Sequence, residues 1–460
     1  MILKKNIAKI FGLLLFTHLF LWTLVPYISN INLPLDTIEA LAWGSNLEWG
    51  FDKHPPLSAV VVNIFYSIFG SNDLAFYFLS QVCVIISFLI IWKFSQDFFS
   101  NKIFVLLSLL ILETIVFFNY TTPEFNVYVC QLPLKAALAY FFWKGINSDR
   151  LYYWILIGLF SALGVLTHYS FIIIILSLLI YFLFFLKKNT KLIQNFFISL
   201  FIFLLLLVPH ILWLFDNNFE PISYAFKRTG LEDKSLLNHL INPIIFISKQ
   251  IGMLLIFLLT FFSLISFKSL KRLNLKFKDE KFKFLLSISI LPFIIVFLIS
   301  FLSGAKIRTM WISTFYLFFG TLFFYSFRNS INLKKIKKFF YLVSFFFFLS
   351  PITYYYISIS NDFKRTDFPG KEISRLVQNK WNDNFANEIK IVVGDEWHAG
   401  NLSYHLNSRP SWFKDLSDNT AKIKKNYGVV YVGNPKVLKK ICPGVFGSIK
   451  PVGYCMIGQK

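Results

Sequence analysis

The sequence predicts a polytopic α-helical membrane protein that ends in a small α/β soluble domain. Of its 460 residues, 56% are hydrophobic, 20% aromatic and only 15% charged. A soluble core could not hide that much apolar surface, so lipid must be the main solvent. Apolar stretches approaching twenty residues recur through the first three quarters of the chain. From Ser360 the composition changes to one with short β-like runs (KIVVG, VVYVG) between polar, helix-compatible stretches. Domains over 1–358 and 359–460 follow from that change.

A hydrocarbon layer ~30 Å thick needs about twenty helical residues to cross it. About eleven spans are expected on that basis, near 9–26, 75–92, 103–119, 127–143, 151–167, 169–186, 195–214, 243–266, 284–303, 311–326 and 339–358. The stretch 57–70 is too short to span and suits a helix at the membrane surface. MILKKNIAKI precedes the first apolar run, and VPYISNINLP after it is a poor cleavage site, so that run is read as a retained span. The Phe-rich runs read as lipid-facing helix.

The net charge of +22 could suggest a nucleic-acid partner. Instead, Lys and Arg fall between apolar runs and form no continuous face, which argues against one. Placing Lys4, Lys5, Lys9, Lys93, Lys102, Lys144, Arg150, Lys187, Lys188, the run Lys268 to Lys283 and the cluster Lys334 to Lys338 inside leaves Asp36, Glu39, Glu48, Asp52, Glu124, Asp216, Glu220, Glu232 and Asp233 outside. That bias predicts a cytoplasmic N-terminus and a C-terminal domain on the other face. Cys83 and Cys130 lie within apolar runs. Cys442 and Cys455 can pair if their segment is outside the cytoplasm; otherwise they are two free thiols.

Candidate chemistry collects on the outer face. In LPLDTIEALAWGSNLEWGFDKHPPL, Asp36 and Glu39 are three apart and share one face of a helix. Lys53 and His54 precede two prolines that stiffen the turn. A carboxylate there can act as a general base, and the cations can hold a phosphate. NYTTPEFN contributes Glu124, read either as a functional acid or as a first-turn residue after Pro123. PHILWLFDNNFEPISYAFKR contributes His210, Asp216, Tyr224, Lys227 and Arg228, and SGAKIRTMW contributes Lys306 and Arg308 against the acidic trend. Glu113 and Lys249 look intramembrane and are functional candidates on that ground. His168 and Tyr169 in LTHYS lie between two spans at the same face. In the soluble domain, IVVGDEWHAGNLSYHL places Asp395, Glu396, His398, Asn401 and His405 after a strand, where α/β sheets hold ligands; it is read either as a loop that faces the membrane site and helps to select the acceptor or as a polar turn on a domain that only covers the site. The sequence contains no metal-ligand spacing, nucleotide glycine pattern or Ser-His-Asp arrangement, so no metal and no cofactor is expected.

LDTIEALAWG, KHPPL, TPEFN, LGVLTHYS, PHILWL and KIRTMW, in that order over residues 1 to about 330, resemble the GT-C glycosyltransferases that use polyprenyl-phosphate sugars. These form the bacterial branch of the protein O-mannosyltransferase superfamily, with the aminoarabinose transferases that modify lipid A. The resemblance implies a catalytic base at Asp36 or Glu39, with Asp36 favoured, and a second acidic loop at Glu124. It implies a lipid-phosphate contact at His54 beside Lys53, with Lys306, Arg308 and Lys249 as further phosphate-binding candidates. His168, Tyr169, His210, Asp216 and Tyr224 are the candidate substrate contacts. His54 replaces the Lys that many relatives carry, which would make phosphate binding there sensitive to pH. The implied reaction is inverting sugar transfer in the bacterial inner membrane, from a polyprenyl-phosphate donor to lipid A, a glycan or a protein. A lipid or sugar transporter is the alternative; it would call for inverted repeats and broken helices.

Overall fold

The computed structural model describes residues 2–148, 150–186, 190–230, 235–265, 277–361, 363–416 and 426–460. Lys187, Lys188, Glu232, Asp233 and the first part of the 268–283 basic run lie outside the described residues. In chain order the helices are α1 (Ile2–Ser29), α2 (Leu35–Gly44), α3 (Leu57–Phe69), α4 (Asp73–Gln96), α5 (Lys102–Leu110), α6 (Val127–Ile146), α7 (Leu151–Thr167), α8 (Ile172–Phe184), α9 (Thr190–Asp216), α10 (Glu220–Thr229), α11 (Asn238–Phe262), α12 (Glu280–Ser289), α13 (Leu291–Ser303), α14 (Met310–Ser313), α15 (Phe319–Ser326) and α16 (Ile336–Ser360). The soluble part then runs α17 (Gly370–Asn382), β1 (Ile389–Val393), α18 (His398–His405), β2 (Ser411–Phe413), β3 (Gly428–Gly433), α19 (Pro435–Ile441), β4 (Val445–Ile449) and β5 (Val452–Ile457).

Every apolar stretch expected to span is largely helical over its described residues, but the stretches differ in regularity. Among the described residues, five helices are long and apolar enough to cross a membrane unaided: Asn6–Ser29, Asp73–Gln96, Thr190–Asp216, Asn238–Phe262 and Leu333–Ser360. The stretch expected as one span over 284–303 bends by 42° between α12 and α13. Pro292, at the start of α13, lacks the N–H that would continue the ladder. The 103–119 stretch is likewise not one helix. It passes from α5 into two 3₁₀ turns, Ile111–Thr114 and Val116–Phe118, around an extended Ile115. Buried His18 of α1 meets Glu113 there at 2.9 Å and reaches the Gln81 side chain at 3.1 Å. The 311–326 stretch tightens into a 3₁₀ segment at Thr314–Phe318, and Gly320 lets it pack closely on α5: a Cβ there would lie 1.9 Å from the Ser108 carbonyl oxygen. α3 has 13 residues and an exposed apolar side of Ile64, Ile68 and Phe69, as a surface helix requires.

The Phe-rich runs are not uniformly lipid-facing. Phe94, Phe284, Phe318 and Phe324 are fully buried, and Trp143 packs against Phe98 and Phe284 with ring centroids 4.9 Å apart in each pair. Without a hydrophobic drive between helices in lipid, such close ring packing supplies much of the cohesion.

The soluble part is a five-stranded sheet in the order β2-β1-β3-β5-β4, with β1 parallel to β2 and β3 and the remaining pairs antiparallel. A bond between Cys442 and Cys455 ties the end of α19 to β5. The sheet sits on α2. Gly400 of α18 is so close that a Cβ would stand 3.1 Å from that of Ala42 and 3.2 Å from Ile38 Cγ2. Around this crossing, Arg409 donates to the Leu41 carbonyl at 2.6 Å, Asn32 donates to Asn401 at 2.7 Å, and Tyr404 donates to Asp73 at 2.7 Å.

Candidate active site

The site is built on α2, whose first turn lacks a local cap. Its N-cap residue is Pro34, which has no side-chain acceptor. The acceptor comes instead from the 119–126 loop, where Glu124 Oε1 takes the backbone N–H of Asp36 at 3.0 Å. Beside it, Thr37 donates to the Phe125 carbonyl at 3.0 Å. Glu124 therefore caps α2 in trans and is not a first-turn residue of its own helix, and an acid at a helix N-terminus is favoured by the helix dipole. One turn further on, Glu39 Oε1 meets the Lys53 ammonium at 2.9 Å.

The 45–56 loop is held by α9. His210 Nδ1–H donates to the Trp49 carbonyl at 2.6 Å, which leaves its Nε2 to accept from the Tyr169 hydroxyl at 3.0 Å. At Gly50 a Cβ would lie 2.3 Å from the Trp213 ring, so the backbone rests on the indole. Trp213 donates in turn to Glu48 at 3.2 Å. His54 lies between Trp43 and His168, with ring centroids 5.7 and 5.2 Å away. Its Nδ1 is buried without a hydrogen-bond partner. His168 Nδ1 accepts the Ser170 N–H at 3.0 Å, so the ring proton sits on Nε2, which faces the Tyr128 hydroxyl at 3.4 Å.

Burial dominates the electrostatics. It raises the Asp36 carboxyl above its ordinary value, a shift partly offset by Lys53, Arg365, Arg228 and Arg308. Burial pushes Glu39 up to about 7 against the pull of Lys53. Burial and the neighbouring Asp36 push Glu124 up to about 8. Three carboxyl groups thus share the site with less than three negative charges near neutral pH. Burial opposes the charge on Lys53, but Glu39 and Glu396 outweigh it and hold the ammonium above its usual value. His54 goes the other way: burial, then Lys53 and Arg228, lower it to about 3. The pH sensitivity expected from His54 is therefore displaced far below neutrality, because burial, and then the two neighbouring cations, disfavour the imidazolium.

Residues 53–213 match the family model described as dolichyl-phosphate-mannose-protein mannosyltransferase. A comparison with curated proteins finds no match. Among solved structures, the chain is similar to ArnT from Cupriavidus metallidurans bound to undecaprenyl phosphate, with a TM-score of 0.64, 10% identity and 98% of each chain covered. It is similar also to ArnT from the same organism in the apo state, with a TM-score of 0.62, 12% identity and 98% of each chain covered. The chain shares its fold with these two ArnT structures. The family match begins at Lys53, the residue clasped by Glu39, and ends at Trp213, the ring beneath Gly50.

Within this fold the structure gathers Asp36, Glu39, Glu124, Lys53, His54, His168, Tyr169 and His210 around one loop cluster. Arg308 joins them electrostatically through Asp36, and Tyr224 lies near Tyr128 and Arg228. Lys306 is exposed, with its backbone N–H bound to the Thr229 carbonyl at 2.8 Å. Asp216 is exposed at the end of α9, and Lys249 is exposed among lipid-side residues such as Ile245 and Ile251. The structure does not bring these last two to the cluster. Lys249 is turned outward because its neighbour Gln250 occupies the inward position, where it accepts from Tyr316. Among the described residues no group of three or more His, Cys, Asp or Glu is arranged to hold a metal ion.

Several polar groups escaped the sequence reading. Arg365 follows the last span and reaches both Asp36 and Glu124 electrostatically. Its only signal was a basic pair directly after a span. Lys135 is fully buried in α6, donates to Thr314 and lies 3.9 Å from the Phe315 ring centroid. His18 is hidden in the first span, where one polar ring is averaged out by the apolar residues around it.

Proposed function

We propose that the protein is a membrane glycosyltransferase that moves a sugar from a polyprenyl-phosphate donor to an envelope acceptor. The observation that carries this reading is the acid cluster of Asp36, Glu39 and Glu124 set against Lys53, with Arg228, Arg308 and Arg365 in electrostatic reach. In this reading Asp36 takes the proton of an acceptor hydroxyl. The acceptor oxygen then bonds to the anomeric carbon as the bond to the phosphate oxygen breaks, which inverts that carbon. Polyprenyl phosphate leaves with the electron pair, its charge met by Lys53 and Arg308. His54 stays neutral and positions the turn before Pro55 and Pro56, and His168, Tyr169 and His210 hold the loop and the sugar side of the site.

The lysine-rich connections are assigned to the cytoplasm, and the site and the soluble domain to the opposite face of a bacterial inner membrane. The bonded Cys442 and Cys455 support that assignment, since structural disulfides persist in oxidising compartments. Mass spectrometry of lipid A, glycans and envelope proteins from cells with and without the gene tests the reading. A sugar mass lost on deletion and restored by the wild-type gene supports it; identical profiles count against it.

A further inference from the structure

The soluble domain contributes a charged group to the heart of the cluster. Lys53 Nζ stands 2.9 Å from Glu39 Oε1 and 3.1 Å from Glu396 Oε1. The side chains of Glu39 and Glu396 are each 12% exposed, and that of Lys53 is 18% exposed. Glu396 Oε1 is buried with no well-directed hydrogen bond of its own, so the ammonium is its counter-charge.

The position of Glu396 is fixed from both sides. Before it, Gly394 adopts φ +149° at the end of β1, where a Cβ would lie 2.5 Å from the Val432 carbonyl oxygen. Asp395 then accepts the backbone N–H groups of Trp397 and His398 at 3.0 and 2.8 Å, which starts α18. After it, Trp397 packs on Phe368 with ring centroids 5.4 Å apart, and α18 crosses α2 at Gly400. The helix that carries Glu39 is therefore in direct contact with the helix that Glu396 introduces. Two carboxylates on separate elements hold one ammonium, and a single carboxylate would fix it less firmly.

We propose that Glu396 is a positioning residue for the transfer reaction, sharing the Lys53 ammonium with Glu39 and so holding it in place for the leaving phosphate. The inference rests on the glycosyltransferase reading above. Neutralising Glu396 leaves Glu39 as the one carboxylate on Lys53 and draws the ammonium toward α2. The cost falls on the step in which phosphate charge develops, because donor binding meets one negative charge fewer.

The test uses the full-length protein in liposomes with a polyprenyl-phosphate sugar and measures polyprenyl phosphate release together with melting temperature. Glu396→Gln should lower kcat about tenfold, the loss of one charge-assisted contact, without raising the donor KM. Glu396→Asp should recover part of the rate, and Glu388→Gln, in the exposed pair with Lys390, should match wild type. A kcat for Glu396→Gln within twofold of wild type overturns the inference while leaving the transfer reading intact. So does a rate loss that tracks a fall in melting temperature and is not recovered by Glu396→Asp. A wild-type protein that releases no polyprenyl phosphate overturns both.

Discussion

Glu124 offers the sharpest separation between a structural and an electrostatic role. Its Oε1 accepts the Asp36 N–H because Pro34 leaves the first turn of α2 uncapped. Glu124→Ala removes that acceptor and loosens the turn that aims the proposed base. One net hydrogen bond is worth roughly 1–2 kcal/mol, equivalent to a loss of about 5- to 30-fold in kcat. Glu124→Gln keeps an oxygen in the same place. With the wild-type carboxyl pushed up to about 8, the protonated form prevails at pH 7, so Gln also resembles its charge state. Its kcat should stay within about threefold of wild type, short of the rate lost with the hydrogen bond. Linkage gives a second readout. The folded value lies above the ordinary one of 4.5, so the stabilising contribution is complete below that pH and disappears as pH rises through about 8. Glu124→Gln should flatten the fall in melting temperature over that window. The assay is release of polyprenyl phosphate at saturating donor, with thermal unfolding measured from pH 5 to about 9. Equal losses in the Gln and Ala variants would refute this reasoning, because they would make the carboxylate itself a participant. Full activity in Glu124→Ala would remove the capping role.

Asp36→Asn is nearly isosteric and should fold and insert normally while losing about 10²- to 10⁴-fold in turnover, the usual worth of a general base; an active Asn variant would move the base to Glu39. His54, held near 3, stays neutral through the physiological range. The pH profile of the donor KM in Glu39→Gln should therefore show no step near 6.5, the ordinary histidine value, and a step that disappears in His54→Asn would contradict the assignment. Gly50→Ala places a Cβ 2.3 Å from the Trp213 ring. Overpacking of this kind costs about 1–3 kcal/mol, read as a lower melting temperature, and an unchanged melting temperature would show that the loop can move away.

The parts of the site that were legible in sequence are those whose chemistry is local. The spacing of Asp36 and Glu39 implies a shared helix face, Lys53 and His54 stand before rigid prolines, and Glu124 is the one acid in its loop. What those residues touch was not legible. Glu396 meets Lys53 only because a sheet strand and α18 carry it back onto α2. Arg365 becomes relevant only once the end of α16 lies beside Glu124. The same limit applies to the fold. Hydropathy located the helical stretches because the lipid requirement acts on average composition, but averaging conceals single polar groups. His18, Glu113 and Lys135 were smoothed over or left without partners, and with them the break after α5. Lys249 shows the converse: a lone cation in an apolar run reads as functional, whereas its helix turns it outward and directs Gln250 inward.

The most direct test of the central claim is a measurement of polyprenyl phosphate released from a polyprenyl-phosphate sugar by purified protein in sealed liposomes, with no nucleotide present. The account predicts release that depends on an added acceptor and is abolished in Asp36→Asn. Donor passing across the bilayer with its sugar still attached, at a rate unaffected by Asp36→Asn, would contradict it and identify a transporter.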